Sequence, residues 1–519
     1  MYSNIISGTA MGIDGMLVNV EADISPGLPT LSMVGYLASS VKEAGERVRT
    51  AIKNSGFIIP ASRITVNLSP ADVRKDGAMY DLSIAMAILT SMQIIPAGKL
   101  ENTIILGELG LSGEIKAVEG VLPIVHYASK QGIKKAIIPE ENVNEALFVD
   151  DIEIYGVREL KALVDHLLGE ASDDISYHKT SKDMIRKGFE NGDINRHIDV
   201  NMENVRGQDT MKRGVMVAVA GFHNILMSGA AGAGKSLIAR CIPGIMPPLS
   251  YEESLELTKI YSISGLMKGQ KGLIIERPFR SPHHTVTETA LVGGGAVPRP
   301  GEVSLADRGV LFLDELPEYK KKVIECLRQP MEDKTITISR HHSTFKFPSD
   351  FMLVAAMNPC PCGHYPDRKF CRCTENEIKA YRNKISYPIL DRIDIRLEVK
   401  SVDYKELSSG KKTMSSEEMR EQIEIARERQ IYRFKDEDIC FNSDIPQDKI
   451  ERFIKINPAG EELLKKEFDT SNLSARGYFR IKRLARTVAD LNDRDEIQED
   501  DVYEAMFYRN ISDRSEAIG

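Results

Sequence analysis

No run of about eighteen uncharged apolar residues occurs in the chain, which argues against a membrane span. The first residues, Met1-Tyr2-Ser3-Asn4-Ile5-Ile6, lack a basic stretch followed by an apolar one, so no secretion signal is expected and the cytoplasm is the expected compartment. Basic residues do not predominate either: 68 Lys plus Arg stand against 76 Asp plus Glu, a net charge of −8. That balance excludes a wholly basic nucleic-acid coat, and any grip on a phosphate backbone must come from a local cluster or a ring lumen. Cysteine is too sparse for a disulfide scaffold, with 7 in 519 residues. Four of those seven nevertheless crowd into positions 360–373, and in a reducing compartment such clustering points to metal. Internal repeats and long low-complexity tracts are missing as well.

What remains is a globular composition, 42% hydrophobic and 28% charged, in a chain too long for a single core. Residues 1–168 alternate β-rich runs (Thr30–Leu37, Arg63–Leu68, Thr103–Leu106, Lys135–Ile138) with amphipathic stretches at Ser40–Ser55 and Leu82–Met92, an α+β pattern. A polar, charged stretch, 169–201, reads as a linker with some helix. Short apolar strands and helices alternate again over 202–395, as in a parallel α/β core. Strand signals fade after that. Ser415–Arg433, Leu473–Leu491 and Gln498–Tyr508 carry helical periodicity, so 396–519 reads as an all-helical lid.

The strand Asn224-Ile225-Leu226-Met227 runs into Gly229-Ala230-Ala231-Gly232-Ala233-Gly234-Lys235-Ser236, a full match to G-x-x-x-x-G-K-[ST], and Leu237-Ile238-Ala239-Arg240 continues as helix. Small residues let backbone N–H groups close around phosphates, and the helix N-terminus adds positive potential. Lys235 is placed to reach the β/γ-phosphates of ATP, and the Ser236 hydroxyl to take a Mg²⁺ position. A second apolar strand, Gly309-Val310-Leu311-Phe312-Leu313, ends in Asp314-Glu315. In a parallel sheet these carboxylates fall beside the phosphate loop, Asp314 to hold Mg²⁺ through water and Glu315 to orient the attacking water. A third strand, Phe351–Met357, ends in Asn358, whose amide is suited to the γ-phosphate or that water. Together the three imply an ATPase site.

Cys360-Pro361-Cys362-Gly363-His364 and Cys371-Arg372-Cys373 offer two C-x-C arms. Four thiols supply a tetrahedral Zn²⁺ site, with His364 as substitute ligand, and no open position is implied, so the metal is expected to be structural. Reduced surface thiols are the competing role. Apolar alternation on both sides of a polar centre over Thr335–Phe347 predicts a β-hairpin with Arg340, His341 and His342 near its tip and Lys346 on the return strand. The histidines His283-His284 follow Arg277-Pro278-Phe279-Arg280, and there DNA contact and interdomain packing both stay open.

The segments Gly309–Pro317, 358–363 and Leu390-Asp391-Arg392-Ile393-Asp394 resemble the magnesium-chelatase-like branch of AAA+ ATPases, and over nearly the whole length the chain is similar to the ComM/YifB family. The resemblance implies a P-loop AAA+ core with helical lid behind an α+β Lon-protease-like (S5-type) domain. It also implies a hexameric homo-oligomer hydrolysing ATP at subunit interfaces, and DNA branch migration in ComM-like members. On the same similarity Arg392 is the candidate arginine finger, with an ion pair to Asp391 or Asp394 as its alternative, and Arg476 the second sensor. The hairpin corresponds to one that projects into the pore in ring helicases of the branch, where Arg340, His341, His342 and Lys346 are the candidate DNA contacts. In 1–168, carried by Asp76–Asp81 and Gly120–Pro139, Met79 stands where Lon-type enzymes place the serine and Leu122 where they place the lysine, so no protease activity is expected. A DNA-remodelling ring motor is the preferred reading, and a chelatase-type ATPase remodelling a protein partner is the alternative.

Overall fold

The computed structural model describes residues 1–170, 175–180, 200–267, 272–295, 297–340, 343–400, 413–470 and 473–509. The first domain is built on an eight-stranded mixed sheet: β1 (Tyr2–Met11), β2 (Asp14–Ser25), β3 (Thr30–Val34), β4 (Arg63–Ser69), β5 (Thr103–Ile105), β8 (Lys135–Pro139), β9 (Glu153–Val157) and β10 (Ile175–Lys179), in the order β10–β9–β8–β5–β1–β2–β4–β3. A small hairpin, β6 (Glu108–Leu109) and β7 (Ile115–Lys116), lies outside it. The longest pairing joins β1 and β2 from Tyr2↔Asp23 to Met11↔Asp14, turned by Gly12 at φ 66. Neighbours Ile5 and Ile6 face different apolar clusters, as the period-two geometry of a strand requires, so the sheet is covered on both sides. The helix Asp81–Ser91 is buried at every position, which explains its continuous apolar run.

Two expectations shift here. β3 stops at Val34, because Gly35 turns the chain with φ 129. Within the expected linker, Ile175–Lys179 adds an antiparallel edge strand to β9, and Tyr177 packs on Tyr155 with ring centroids 5.2 Å apart. An aromatic cross-strand pair of this kind stabilises an edge that polarity alone would leave in solution.

The second sheet is wholly parallel and five-stranded: β11 (Ile225–Gly229), β12 (Phe279–Arg280), β15 (Val310–Leu313), β18 (Met352–Met357) and β19 (Ile395–Val399), in the order β12–β15–β18–β11–β19. Every residue of β15 and β18 is buried, as helices on both faces of a parallel sheet demand. Between strands of this sheet come two hairpins, β13 (Gly293–Gly294) with β14 (Arg299–Pro300), and β16 (Thr335–Arg340) with β17 (Ser343–Pro348). The C-terminal helices Ser416–Phe434, Pro458–Thr470, Ala475–Leu491 and Glu499–Arg509 share one apolar cluster with β11, β18 and β19, running from Ile225 and Val354 to Leu484 and Val502. Ser415 and Glu418 cap the first of them reciprocally, the local signal for where it starts. No described helix is long and apolar enough to cross a membrane.

The two α/β parts meet through a buried carboxylate. Glu145 accepts from Ser262 Oγ (2.5 Å) on the helix Tyr251–Ile263, from Asn142 Nδ2 (2.6 Å) and from the Leu122 amide (3.3 Å). Burial pushes its carboxyl up, and these donors pull it back.

At the start of the phosphate loop, a Cβ on Gly229 would lie 2.3 Å from the Val399 carbonyl of β19. Gly229→Ala should therefore lower the unfolding free energy by about 1–3 kcal/mol in a urea titration. An unchanged midpoint would contradict the β11–β19 packing.

Candidate functional site

The loop after β11 turns through left-handed glycines, Gly232 at φ 78 and Gly234 at φ 93, before the helix Lys235–Ile245 begins. Side chains there would strain the turn and push backbone amides away from a phosphate. Lys235 is buried, and its ammonium donates to Gly229 O (2.6 Å), Ala230 O (2.9 Å) and Asn358 Oδ1 (3.1 Å). Burial lowers its pKa from the usual lysine range, and Asp314 and Glu315 oppose that shift. Ser236 Oγ donates to Asp314 Oδ2 at 2.7 Å, so the hydroxyl and carboxylate expected around Mg²⁺ already touch. Thus three segments separated by many residues converge at one sheet edge.

Glu315 takes a left-handed conformation, φ 52, and accepts no hydrogen bond to its carboxylate among those resolved; its side chain is 55% exposed. His284 stands beside it, with Nδ1 3.9 Å from Oε2. Tyr319 donates to Pro282 O (2.6 Å) and lies edge-on to His284, which fixes the histidine segment beside the acid. Sequence reading left the two histidines between DNA contact and packing. The signal for His284 is only that Phe279–Arg280 forms β12, the strand paired to β15.

Arg392 lies at the other end of the sheet. It follows the helix Tyr387–Asp391 and precedes β19, whose residue Ile395 is in register with Ile225 at the start of β11. The four steps of β11 from Ile225 to Gly229, at about 3.3 Å each, therefore put roughly 13 Å of strand between that end of the sheet and the phosphate loop. Arg392 is buried and pairs with Glu332, not with Asp391 or Asp394, and it also donates to Pro388 O at 2.7 Å. The two aspartates are taken instead by Arg509 (3.2 Å to Asp391) and Arg480 (2.5 Å to Asp394). Arg476 is exposed in the first turn of the helix Ala475–Leu491, and its field, after that of Arg392, helps hold the Glu332 carboxyl below the usual range.

The four thiols of Cys360, Cys362, Cys371 and Cys373 lie within 4.8 Å of one another. Sγ–Sγ distances of 3.4, 3.8 and 3.7 Å compare with about 3.8 Å along the edge of a tetrahedron with Zn–S bonds of about 2.3 Å. The set therefore fits a Cys₄ ion. His364 stays outside it, exposed against Phe370. Gly363, at φ 82, brings the knot against the phosphate loop: its Cβ position is 3.8 Å from the Ala231 amide nitrogen.

β16 and β17 form the expected hairpin, in register from Thr335↔Pro348 to Arg340↔Ser343. Arg340 and Lys346 are exposed, and Arg340 donates to Gly295 O at 2.8 Å; His341 and His342 lie outside the described residues. In the first domain Met79 packs on the apolar cluster that contains Leu122, and neither side chain offers a nucleophile or a base.

Residues 20–142 match the family described as subunit ChlI of Mg-chelatase, 201–407 magnesium chelatase subunit ChlI, and 413–509 its C-terminal part. Competence protein ComM of Haemophilus influenzae is 37% identical over 508 residues, 97% of each chain. The uncharacterised protein YifB of Escherichia coli is 38% identical over 506 residues, 97% of this chain and 96% of that one. Lon protease 2 of Bacillus subtilis is 32% identical over 132 residues, 25% of this chain and 23% of its own. With phosphate loop, acidic strand end and helical lid placed as described, and relatives matching from end to end, the chain belongs to the ComM/YifB family of magnesium-chelatase-type AAA+ ATPases.

Proposed function

We propose that the protein is a hexameric ring motor that couples ATP hydrolysis at subunit boundaries to movement along DNA in the cytoplasm. The observation that carries this reading is the separation of Lys235, Ser236, Asp314 and Asn358 at one sheet edge from Arg392 at the other. A chain whose own arginine lies at the opposite end of the sheet from its own phosphate loop needs a neighbour to complete the site. Backbone amides of 229–236 would hold the triphosphate and Lys235 its β/γ-oxygens; Ser236 and Asp314 would hold Mg²⁺, which would supply charge neutralisation there. Glu315 polarises water, Asn358 orients it, and Arg392 stabilises the transition state in trans, with Arg476 reporting nucleotide state to the lid. DNA as the track is supported by the exposed Arg340 and Lys346 on a hairpin that carries His341 and His342 in sequence. Such cations grip phosphate without sequence preference. The name of the ComM relative, a competence protein, agrees with a DNA substrate.

Cys360, Cys362, Cys371 and Cys373 would hold a zinc ion that would fix the loop behind Asn358, where Gly363 approaches the phosphate loop. A chelatase-type role on a protein partner is favoured by the family descriptions alone.

Steady-state ATPase rates with and without single-stranded and branched DNA separate the two. Severalfold stimulation that disappears in Arg340→Ala is expected, whereas identical rates with and without DNA favour the protein partner. Glu315→Gln should retain ATP binding while turnover falls roughly 10²–10⁴-fold; full activity removes it as base. Metal analysis should find one zinc per chain, and its removal by a chelator should weaken ATP binding severalfold, read by fluorescent-nucleotide titration.

A further inference from the structure

The four residues Asp391-Arg392-Ile393-Asp394 are gripped from two sides. From the lid, Arg480 donates to Asp394 Oδ1 (2.5 Å) and to the Arg392 carbonyl (3.2 Å). Arg509 donates to Asp391 Oδ1 (3.2 Å) and the Ile393 carbonyl (3.3 Å). From the core, Asn224 gives its amide N–H to Asp394 Oδ2 (3.3 Å) and its side-chain Nδ2 to the Arg392 carbonyl (3.3 Å). His223 completes the ring of partners, with Nδ1 3.5 Å from Asp394 Oδ2 and Nε2 2.9 Å from Thr487 Oγ1 of the lid. Asp394 itself is buried. Burial would push its carboxyl up, but Arg480, His223 and Arg509 outweigh this and hold it well below the usual range, so it is an anion at neutral pH.

Asn224 makes this more than a static anchor. It precedes β11, whose far end is the phosphate loop, and its Oδ1 accepts from Leu353 N (2.8 Å) in β18, whose far end is Asn358. Two strands leading from the chain's own nucleotide site thus start at the residue that holds the Arg392 backbone. The lid holds the same backbone through Arg480.

We propose that Asp394 is a positioning residue for Arg392, the joint at which the lid and the chain's own phosphate loop together set the arginine offered to the neighbouring subunit. This rests on reading Arg392 as the finger in trans. Occupancy of one site then governs hydrolysis at the next, because strand movement and lid movement meet at one buried carboxylate. Asp394→Asn keeps shape and loses charge, so Arg480 loses its ionic partner while the nucleotide site of the same chain is untouched.

The test uses mixed oligomers. Asp394→Asn alone should lower kcat by on the order of tenfold to a hundredfold with KM within about twofold, the effect of a misplaced catalytic group. Arg392→Ala should lower it by roughly 10³. Lys235→Ala chains cannot turn over ATP but carry an intact Arg392. Mixed with either variant they should raise turnover per competent ATP site at least severalfold. Arg480→Lys, which keeps the charge but cannot span both acceptors, should show the same rescue and serves if Asp394→Asn fails to fold. Rescue of Arg392→Ala without rescue of Asp394→Asn and Arg480→Lys would overturn the joint and leave the finger in place. Wild-type turnover in Arg392→Ala, or no rescue of it, would remove the finger itself.

Discussion

Parallel strand register is the constraint on which the rest of the molecule depends. β15 and β18 are buried and apolar at every position, and β11 at all but Ser228, so chemistry is confined to their ends. Register then decides which ends meet. Ser228 is level with Met357, and Leu313 with Ala355, which brings Lys235 to Asn358 and Ser236 to Asp314. A slip of one residue in any pair would reverse the faces of the strand and separate these groups together. The opposite ends are fixed by the same register, and there Asn224 ties β11, β18 and the approach to β19 with three side-chain and backbone hydrogen bonds.

The cysteine knot is best understood from this edge. Asn358 must present its amide at the end of β18, yet the chain leaves that point for a long excursion before the helix Glu375–Arg382. An irregular loop has high conformational entropy, and four sulfur atoms drawn within 4.8 Å would repel one another as thiolates unless a cation lay between them. A Zn²⁺ held by these four side chains would supply folding energy at that loop. Gly363 spends part of the resulting rigidity on the phosphate loop, since its left-handed turn is what lets the knot approach Ala231. The cysteine cluster and the phosphate loop are therefore neighbours in space.

Much of the ATP site was legible because its determinants are local. A glycine pattern after a strand, two acids at a strand end and two C-x-C arms are fixed by spacing of a few residues, and the structure places Lys235 at Asn358, Ser236 at Asp314 and the four thiols together. The helices Ser416–Phe434 and Ala475–Leu491 were legible for the same reason, being periodic and capped. What spacing could not supply were partners chosen by tertiary packing. Arg392 has two acids within two residues, but the helix turn before β19 points it to Glu332, sixty positions away, while lid arginines take Asp391 and Asp394. His284 meets Glu315 only because β12 pairs with β15 across the insertion between them. The β1–β2 hairpin escaped notice although a glycine turn divides two strand-forming runs, because serines and glycines dilute its alternation. β10 was hidden by the polarity of a stretch whose one strong anchor is Tyr177.

The first domain gains a physical role from its contacts. Its β1–β2 turn reaches the hairpin: a Cβ on Gly12 would stand 3.0 Å from the Lys346 carbonyl of β17. Glu119 pairs with Arg299 of β14 at 2.8 Å, and the Gly120 amide donates to Ser262 O at 3.1 Å. Meanwhile Arg340 is tied to Gly295 in the turn between β13 and β14. The base of the cationic hairpin and the insertion beside it are thus held against one rigid body, itself locked to the core through the buried Glu145–Ser262 bond. A hairpin that moves with nucleotide state must carry this domain along or break the Gly12 contact. Breaking it is the less costly course, because carrying the domain would draw Ser262 of the core away from the buried Glu145 carboxylate.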